Sequence, residues 1–570
     1  GNEEADDPMD AGNGTEGEEK GSKHSMDLKD WLHEGPDGDT QVEIHAGAPL
    51  IIHGESEVAT YGKGLWVITI PSGCHDTDVS HMADHMPPGT VHTFSGHPDG
   101  GGLCVFMMNG TKDQVKEELS QHTWPSTPVV ETDTDWYAIP EIPANPVDDT
   151  DAQTGLQMFS ADGVQRNPPW GLDRIDAVAG RDRRYEPFSA YGGGDGVHIY
   201  VADTGIMTTH ADFGGRAVPT LEVISSRPKV CSPSDTSCAL DNHGHGTHCA
   251  GVAGGTTYGV AKRSTIHAVK VLTDSGGGSF SWLLEALDWV MSNGRRPAIF
   301  SASLSGRGTF SSVQIAIDKA VDGGVTVVVA AGNEGDSEIP DSCQYSPAFV
   351  PKAITVGSID WTDRRSYFSN HGSCIDIFAP GSSVKSAGIR SDTATVWWSG
   401  TSMACPHVAG AAALILGEDS TRTPIDVHAV MLQRATPDKL RDISGTPNLL
   451  LFTGTPPATP PPTPSPPTPA PPTPSPPTPA PATPSPPVDV LTCSFEERNF
   501  GGSCYMWSNS GGDDFDWTWK SGPTPTKNTG PSKAMHGDYY LYLETSAPRK
   551  FGDKAILKSR PFVVGRETHL

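Results

Sequence analysis

Three separate stretches of the sequence carry side chains that together could perform nucleophilic catalysis. Asp203 closes an apolar run, His245 opens a stretch of small residues, and Ser402 begins a run rich in alanine and glycine. A serine hydroxyl is a weak nucleophile that needs a general base, and a histidine base needs a carboxylate that orients its ring. The three residue types, in the chain order Asp, His, Ser, therefore predict acyl-transfer chemistry through a catalytic triad.

Each stretch has a simpler interpretation when it is taken alone. Asp203 followed by Thr-Gly is more often a turn, and Ser402 suits the N-cap of a helix. His243, His245 and His248 could bind a metal, although no nearby cysteine pair or acidic cluster completes a zinc site. Their joint occurrence favours catalysis, and the lack of a Gly-x-Ser-x-Gly sequence argues against an α/β-hydrolase.

The elements that must position these side chains follow from the apolar runs. Short β-branched runs alternate with stretches of crossover length, which predicts a doubly wound, mostly parallel sheet of the α/β class. Functional groups gather at the carboxyl ends of strands in such a sheet. We expect Ser402 at a helix N-terminus, where free backbone N–H groups favour a developing oxyanion, with Pro406 in the first helical turn. The predicted strands are 197–202, 266–272, 298–304, 325–331 and 353–357.

The chain before this region divides into an acidic part and a small α+β part. The net charge is −29, and residues 1–60 hold 16 acidic and 3 basic side chains, so we expect a disordered acidic leader there. Such a charge argues against nucleic acid as a partner, because phosphates attract Lys and Arg. A small α+β domain is predicted over 61–140 and a linker over 141–165. Its predicted strands are 65–70 and 103–108, and its predicted helices are 79–86 and 111–121.

The last fifth of the chain has a different composition. Residues 454–489 repeat Thr-Pro-Ser-Pro-Pro and Thr-Pro-Ala-Pro-Pro units, which predicts an extended polyproline linker without a core. Residues 490–570 are rich in Trp, Tyr and Asp and alternate like a strand at 539–543, so we expect a partial all-β domain there. No apolar run approaches the roughly 18 residues that a membrane span needs, and we expect none.

Four motifs carry a resemblance to the proteinase K branch of the subtilisin family across residues 170–452. They are Trp-Gly-Leu-Asp-Arg-Ile at 170–175, Asp-Thr-Gly at 203–205, His-Gly-Thr-His-Cys-Ala-Gly at 245–251 and Gly-Thr-Ser-Met-Ala at 400–404. The resemblance implies a secreted serine endopeptidase that hydrolyses peptide bonds of proteins with broad specificity and needs no catalytic cofactor. It implies a catalytic domain over 166–453, with Asp203, His245 and Ser402 as the triad.

The same resemblance implies roles for residues around the triad. Asn333 and the backbone N–H of Ser402 would form an oxyanion hole. Ser305 stands where the family usually has glycine and would narrow the primary substrate pocket. The segments that would bind protein or peptide substrates by backbone pairing comprise Gly276, Gly277, Gly278, Ser303, Leu304, Ser305, Gly306, Ala330, Ala331 and Gly332.

A structural calcium ion is also implied by the resemblance. Asp376 and the backbone carbonyls of Pro351 and Ala353 match a calcium site of the family, and Ca²⁺ prefers hard oxygen ligands. The alternative is that the Asp376 carboxylate only pairs with a cation or caps a helix.

Two further regions resemble accessory domains of known type. Residues 64–140 resemble the subtilisin propeptide, which implies a zymogen whose own propeptide is its inhibitor. Residues 490–570 resemble the first part of a MAM adhesion domain, which implies a ligand on the cell surface or in the extracellular matrix. Two alternatives stay open: an adhesion protein whose protease-like domain is catalytically silent, and an esterase that uses the same triad.

The ten cysteines fit a secreted protein with disulfides. Cys231 and Cys238 flank a short polar loop and are expected to pair. The resemblance implies the further bonds Cys343–Cys374 and Cys493–Cys504. Cys74 and Cys104 either pair or stay free, Cys249 is implied to be a buried free thiol, and a bond between Cys249 and Cys405 stays open.

Overall fold

The computed structural model describes residues 40–54, 56–139, 142–144, 164–188, 193–224 and 228–455, together with four short strands between 507 and 559. The chain separates into two compact units, Gly1–Thr459 and Pro460–Leu570. The leader before residue 40, the linker from residue 456 and the proposed bond Cys493–Cys504 lie outside the described residues.

The elements of the first unit alternate between short strands and helices. The helices are α1 Glu57–Tyr61, α2 Asp76–Asp84, α3 Lys112–Gln121, α4 Trp170–Ile175, α5 His245–Gly254, α6 Phe280–Asn293, α7 Ser311–Asp322, α8 Thr401–Glu418 and α9 Pro424–Arg434. The strands are β1 Gln41–His45, β2 Ala48–Ile52, β3 Lys63–Thr69, β4 Val91–Ser95, β5 Val105–Thr111, β6 Val129–Thr132, β7 Asp135–Ala138, β8 Ile142–Pro143, β9 Gln165–Arg166, β10 Arg184–Tyr185, β11 His198–Asp203, β12 Ala217–Glu222, β13 Lys229–Val230, β14 Thr265–Lys270, β15 Gly277–Ser279, β16 Ala298–Ala302, β17 Leu304–Arg307, β18 Val325–Ala330, β19 Tyr345–Ser346, β20 Ile354–Ile359, β21 Ile377–Pro380, β22 Val384–Ala387, β23 Thr395–Ser399, β24 Thr436–Pro437 and β25 Leu449–Leu450.

The largest sheet is parallel except at its edges. Its strand order is β13-β12-β14-β11-β16-β18-β20-β21-β25-β24, and every pair from β12 to β25 is parallel, while β13 and β24 pair antiparallel. Strand order changes direction at β11, since both β14 and β16 flank it. The prediction of a doubly wound, mostly parallel α/β sheet is confirmed.

Helices cover both faces of this sheet, which explains why its central strands are mostly apolar. On β11, Ile199 and Val201 pack into a core shared with α5 and α8, whereas Tyr200 and Ala202 pack into a core shared with α6 and α7. Successive side chains on a strand point to opposite faces, so a strand buried on both faces needs an unbroken apolar run. The position of the three predicted catalytic residues depends on this two-sided core.

Strands β1 to β6 form a separate mixed sheet, and we call residues 40–139 the N-terminal domain. Its strand order is β1-β2-β6-β3-β5-β4. Trp66 and Phe106 pack on the face that α2 and α3 cover, while Val67 and Met107 pack on the opposite face against α6 and α7 of the larger sheet. The N-terminal domain therefore has one helix-covered outer face and one face bound to the rest of the unit.

The expected boundary at residue 60 is wrong. Residues 41–60 form β1, β2 and α1, and β2 is completely buried in the N-terminal domain. The apolar run Ala-Pro-Leu-Ile-Ile at 48–52 forms this strand, because its pairing with β6 covers both the backbone and the side chains. The acidic composition of the first sixty residues hid this strand at the level of sequence.

Two further expectations about local structure are corrected. The predicted strand 298–304 is two strands, since β16 stays in the large sheet and β17 leaves it to pair with β7 and β19. Pro406 is the sixth residue of α8 and lies inside the helix rather than in its first turn. A proline at that position removes a hydrogen bond to the carbonyl of Ser402, which other donors then satisfy.

Disulfides form at Cys74–Cys104, Cys231–Cys238 and Cys343–Cys374. Cys249 and Cys405 are buried free thiols, so the alternative of a bond between them is wrong.

The second unit is described only as two antiparallel strand pairs, β26 Trp507–Asn509 with β29 Leu557–Ser559, and β27 Thr518–Ser521 with β28 Tyr539–Tyr542. Within the described residues, no helix is both long enough and apolar enough to cross a bilayer.

Candidate active site

Asp203 is the last residue of β11 and is completely buried. A buried carboxylate is costly unless hydrogen-bond donors surround it. The backbone N–H of Thr204 donates to Oδ1 at 2.7 Å, and His245 approaches both carboxylate oxygens. The strand end therefore presents a fixed carboxylate at the carboxyl edge of the sheet, as its position in sequence predicts.

His245 is the first residue of α5, and hydrogen bonds to the backbone around the N-terminus of this helix fix its position. The N-cap of α5 is Gly244 at φ 110°, a backbone conformation that favours glycine. The Asp241 carboxylate accepts hydrogen bonds from the backbone of His243, Gly244 and Thr247, and also from the Thr247 hydroxyl. Asp241 thus satisfies the free N–H groups of this helix end and fixes where the His245 side chain begins.

The contact between His245 and Asp203 is short and excluded from solvent. Nδ1 of His245 lies 2.7 Å from Oδ1 and 2.9 Å from Oδ2 of Asp203, and both side chains are fully buried. Burial by itself would lower the pKa of His245, but the adjacent Asp203 carboxylate outweighs burial and raises this pKa well above its usual value. A carboxylate in this position orients the ring and stabilises its protonated form.

Close packing of α5 on β11 makes this contact possible. Gly246 follows His245, and a Cβ at Gly246 would overlap the carbonyl oxygen of Gly205 and come within 3.1 Å of the Asp203 Cβ. The backbone N–H of Gly246 donates to the Thr204 hydroxyl at 3.0 Å. A residue without a side chain is therefore required directly beside the pair.

Ser402 is the second residue of α8 and is completely buried. Its hydroxyl lies 3.4 Å from the carbonyl oxygen of Ile139 and 3.5 Å from that of Ser303. Within the part of the chain that the structure describes, Nε2 of His245 has no hydrogen-bond partner. The Ser402 hydroxyl thus contacts backbone carbonyls, and Nε2 of His245 remains available as an acceptor.

The backbone carbonyl of Ser402, freed by Pro406, is satisfied from two sides. The Ser303 hydroxyl donates to it at 3.1 Å and the Cys249 thiol at 3.3 Å. Burial raises the pKa of the Cys249 thiol, so this side chain acts as a neutral donor. Cys249 also lies with Asp203 and His245 in a group whose ligand atoms are within 4.8 Å of one another.

Asn333 is positioned beside the start of α8 by its own side-chain oxygen. Oδ1 accepts hydrogen bonds from the backbone N–H of Thr401 at 2.9 Å and from the Thr401 hydroxyl at 3.0 Å. This fixes the orientation of the amide, whose nitrogen faces the backbone at Gly400. The backbone N–H of Gly332 also donates to the Thr401 hydroxyl, so the 330–332 segment and the helix start are joined.

A strand of the N-terminal domain occupies the groove beside Ser402. β7 pairs antiparallel with β15 on one side and with β17 on the other, through Gly277, Gly278, Leu304 and Ser305. The backbone N–H of Ala138 donates to the Gly276 carbonyl at 2.8 Å. The predicted substrate segments 276–278 and 303–306 therefore form the two walls of one groove, and a strand of the same chain lies between them.

The predicted calcium ligands lie at the starts of two neighbouring parallel strands. Asp376 precedes β21, while Pro351 and Ala353 precede β20. Oδ2 of Asp376 accepts the backbone N–H of Thr355 at 2.9 Å, and Oδ1 lies 3.7 Å from Nε2 of His428. The Asp376 carboxylate therefore contacts a backbone N–H and an imidazole, as the alternative of a pairing role predicts, while its oxygens are of the kind that Ca²⁺ takes as ligands.

The sequence analysis missed several residues that contact the predicted site. Asp241 lies four residues before His245, and this short spacing is a signal that could have indicated a helix cap. Trp398 stacks on His248 with ring centroids 5.1 Å apart and lies 6.5 Å from the His245 ring. Ile139 had no local signal, because only the fold brings it to Ser402.

His243 and His248 take no part in the Asp203 contact. Burial lowers the pKa of His248 to about 3, and its Nε2 contacts the Val384 carbonyl at 3.1 Å, so it is a neutral packing residue. The His243 ring lies beside Gly276 at the groove wall.

A buried Asp-His pair beside a serine at a helix N-terminus, on a doubly wound parallel sheet, defines a serine hydrolase of the subtilisin type. Comparison with known proteins agrees. The Subtilase family model matches residues 194–454, and the model for the MAM domain, meprin/A5/mu, matches residues 493–569.

Individual relatives are similar over the same region. The Extracellular serine proteinase of Thermus sp. (strain Rt41A) is 48% identical over 299 residues, 52% of this chain and 69% of that protein. Subtilisin-like protease 2 of Pseudogymnoascus destructans is 40% identical over 326 residues, 57% of this chain and 77% of that protein. The crystal structure of a cold adapted subtilisin-like serine proteinase is 42% identical, with a TM-score of 0.46, and covers 51% of this chain and 99% of that chain.

The chain belongs to the subtilase family and is a subtilisin-like serine endopeptidase.

Replacing Gly246 with alanine should disrupt this site without unfolding the sheet. The added methyl group pushes the start of α5 away from Asp203, and a displacement of about 1 Å costs roughly 100-fold in rate. We expect kcat for a peptide substrate to fall by about that factor in Gly246→Ala. Gly388→Ala is the control, because its Cβ would meet its neighbours at an ordinary 3.4 Å or more. Equal activity of the two variants would contradict this account of the packing.

Proposed function

We propose that Asp203, His245 and Ser402 are the catalytic triad of this endopeptidase. The short buried contact between His245 and Asp203 is the observation that supports this assignment. Ser402 would attack the scissile carbonyl while His245 takes its proton, and His245 would then protonate the leaving amine. Asp203 keeps the ring in the tautomer that leaves Nε2 as the base.

The developing oxyanion would be stabilised by Asn333 and by the backbone N–H of Ser402. Thr401 holds the Asn333 amide oxygen, so the amide nitrogen is aimed without needing to reorganise during the reaction. The N-terminus of α8 adds free N–H groups and the positive end of the helix dipole. Cofactor chemistry is not required for these steps.

The protein would be made as a zymogen that its own N-terminal domain inhibits. β7 lies between β15 and β17 as an extended substrate would, and the Ile139 carbonyl is 3.4 Å from the Ser402 hydroxyl. We propose that residues 40–139 act as propeptide, that maturation cleaves the chain between residues 138 and 163, and that 166–453 is the catalytic domain.

Two carboxylates attach the N-terminal domain to the helices beneath it. Glu131 accepts the backbone N–H groups of Ser311 and Ser312 at the start of α7, at 2.9 and 2.7 Å. Asp133 accepts the backbone N–H of Ser281 and the Ser281 hydroxyl at the start of α6. Capping two helix N-termini gives this interface charge-assisted bonds in addition to its apolar contact.

The position of β7 also suggests which substrates are preferred. Ile139 and Trp136 are both about 1% exposed, and Trp136 packs against Phe280 and Phe310 with ring centroids 6.1 and 5.6 Å away. A Cβ on Gly306 would overlap the Trp136 indole. Substrates with an apolar residue before the scissile bond and an aromatic residue three positions earlier should be cut fastest, while backbone pairing keeps specificity broad. Cleavage of a peptide library, analysed by mass spectrometry, measures this preference directly.

We propose further that the enzyme is secreted, as the names of its extracellular relatives suggest, and that it binds a surface or matrix ligand through its MAM region. Three disulfides in the first unit fit an oxidising compartment. Detection of the protein and its activity in culture medium tests secretion. Binding of the full chain to matrix proteins, and loss of that binding when residues 490–570 are removed, tests the role of the MAM region.

Ser402→Ala should yield a folded precursor that stays uncut between residues 138 and 163. Cleavage by the chain's own triad needs the serine nucleophile, so mass spectrometry over time should show one intact species. Ser337→Ala, an exposed serine, serves as the control and should process like the parent. Unchanged processing of purified Ser402→Ala would show that another protease does the maturation.

Asn333→Ala should lower kcat by roughly 100- to 1,000-fold, the size of effect that removing one oxyanion-hole donor has in subtilisin. The hydrogen bond forms chiefly to the transition state, so KM should change little. Steady-state kinetics on a peptide substrate measure both constants, with Asn293→Ala as an exposed control. A variant that loses binding but keeps turnover would contradict the assignment.

A calcium ion at Asp376, Pro351 and Ala353 should appear as a change in stability. Excess EDTA should lower the melting temperature, because a ligand of the folded state stabilises it by mass action. Asp376→Asn should melt lower without EDTA and respond less to it. If the parent has the same melting temperature with and without EDTA, and elemental analysis confirms that the EDTA-treated protein contains no calcium, this site binds no structural calcium.

A further inference from the structure

Three histidines and one glutamate meet on the outer, helix-covered face of the N-terminal domain. His81 and His85 lie at the C-terminal end of α2, and Glu118 and His122 lie at the C-terminal end of α3. The ring centroids of His81 and His85 are 4.1 Å apart, and those of His81 and His122 are 5.3 Å apart. We call these four residues the histidine cluster; the active site lies beyond the opposite face of the sheet.

Glu118 is an unusual member of this group because its side chain is completely buried. Its Oε1 lies 2.7 Å from Nε2 of His122, yet the geometry is not that of a hydrogen bond. Among the described residues, neither carboxylate oxygen of Glu118 has a hydrogen-bond partner. A buried carboxylate without donors is costly, and a bound cation is one way in which proteins offset that cost.

The two exposed histidines, His81 and His85, have the spacing that is typical of metal-binding histidine pairs on helices. His81 and His85 are four residues apart and therefore lie on one side of the helix. Nδ1 of His85 is 2.8 Å from the carbonyl oxygen of His81. When Nδ1–H donates to that carbonyl, Nε2 keeps a lone pair for a metal.

The rings of His81 and His85 are stacked, so the four side chains do not yet converge on one point. Both residues are exposed, and rotation of their side chains toward His122 breaks no core packing. His122 contacts both the His81 ring and the Glu118 carboxylate, so it lies between the exposed and the buried members of the cluster.

We propose that the histidine cluster binds one divalent transition-metal ion, with Zn²⁺ as the best fit. Imidazole nitrogens with one carboxylate oxygen are the donors that zinc takes in proteins, whereas Ca²⁺ prefers oxygen ligands throughout. The ion neutralises Glu118 and joins the ends of α2 and α3, the two helices that cover the outer face. Since the ligands belong to the folded domain, the metal stabilises the N-terminal domain by mass action.

The full chain carrying Ser402→Ala is the protein to use, because it should keep the N-terminal domain attached. Co²⁺ is the spectroscopic probe, since tetrahedral cobalt absorbs visible light strongly, and Zn²⁺ should displace it. We expect one Co²⁺ per chain and a higher melting temperature of the N-terminal domain with Zn²⁺. His81→Gln/His85→Gln should abolish both effects, and Glu118→Gln should weaken binding roughly 10- to 100-fold.

The matched control is His75→Gln/His92→Gln, which removes two other exposed histidines of the same domain. It should bind Co²⁺ like the parent. Circular dichroism without metal shows whether each variant is folded. Because positions 81 and 85 are exposed, the spectrum of His81→Gln/His85→Gln should match that of the parent. Absence of saturable Co²⁺ binding in the parent, equal binding by the cluster variant, or equal loss in the control would each overturn the proposal.

Discussion

The buried contact between Asp203 and His245 is the constraint on which the rest of the site depends. Burying two polar side chains is costly unless hydrogen-bond partners surround them, and the neighbouring elements supply partners to Asp203 and to Nδ1 of His245, while Nε2 of His245 has none among the described residues. β11 ends where the carboxylate is needed, and Gly246 allows α5 to approach it. Asp241 satisfies the N–H groups of that helix start. The catalytic geometry is therefore a consequence of two-sided packing on the sheet.

The second constraint is the start of α8. Pro406 inside this helix removes a backbone hydrogen bond, and the freed carbonyl of Ser402 is taken up by Ser303 and Cys249. The carbonyl that this proline leaves free thus connects the helix that carries Ser402 to the helix that carries His245 and to the wall of the groove. An internal proline usually lowers the stability of a helix. Here the carbonyl that it leaves free accepts hydrogen bonds from residues outside α8, so it links α8 to two neighbouring segments.

The N-terminal domain covers the site by the same kind of interaction that a substrate would use. β7 adds a strand between β15 and β17, and Glu131 and Asp133 cap the helices at the base of the contact. Backbone pairing depends little on side chains, so under the proposed function extended peptides would bind in the groove as the domain's own strand does. The buried side chains of Trp136 in that strand and of Ile139 directly after it are the basis of the proposed selectivity.

The sequence by itself determined the local patterns: the apolar strands, the Asp-His-Ser order, the cysteine loop at 231–238 and the doubly wound α/β class. These depend on residue types a few positions apart, which periodicity and spacing report directly. Only the tertiary structure decided what depends on distant residues. In the tertiary structure Ile139 lies beside Ser402, and Pro406 lies inside α8 rather than in its first turn. Residues 41–52 of the predicted acidic leader form β1 and β2, and the histidine cluster combines residues of α2 and α3. Burial and contact between distant segments are properties of the packed fold, because each residue's environment is set by neighbours that its local sequence does not specify.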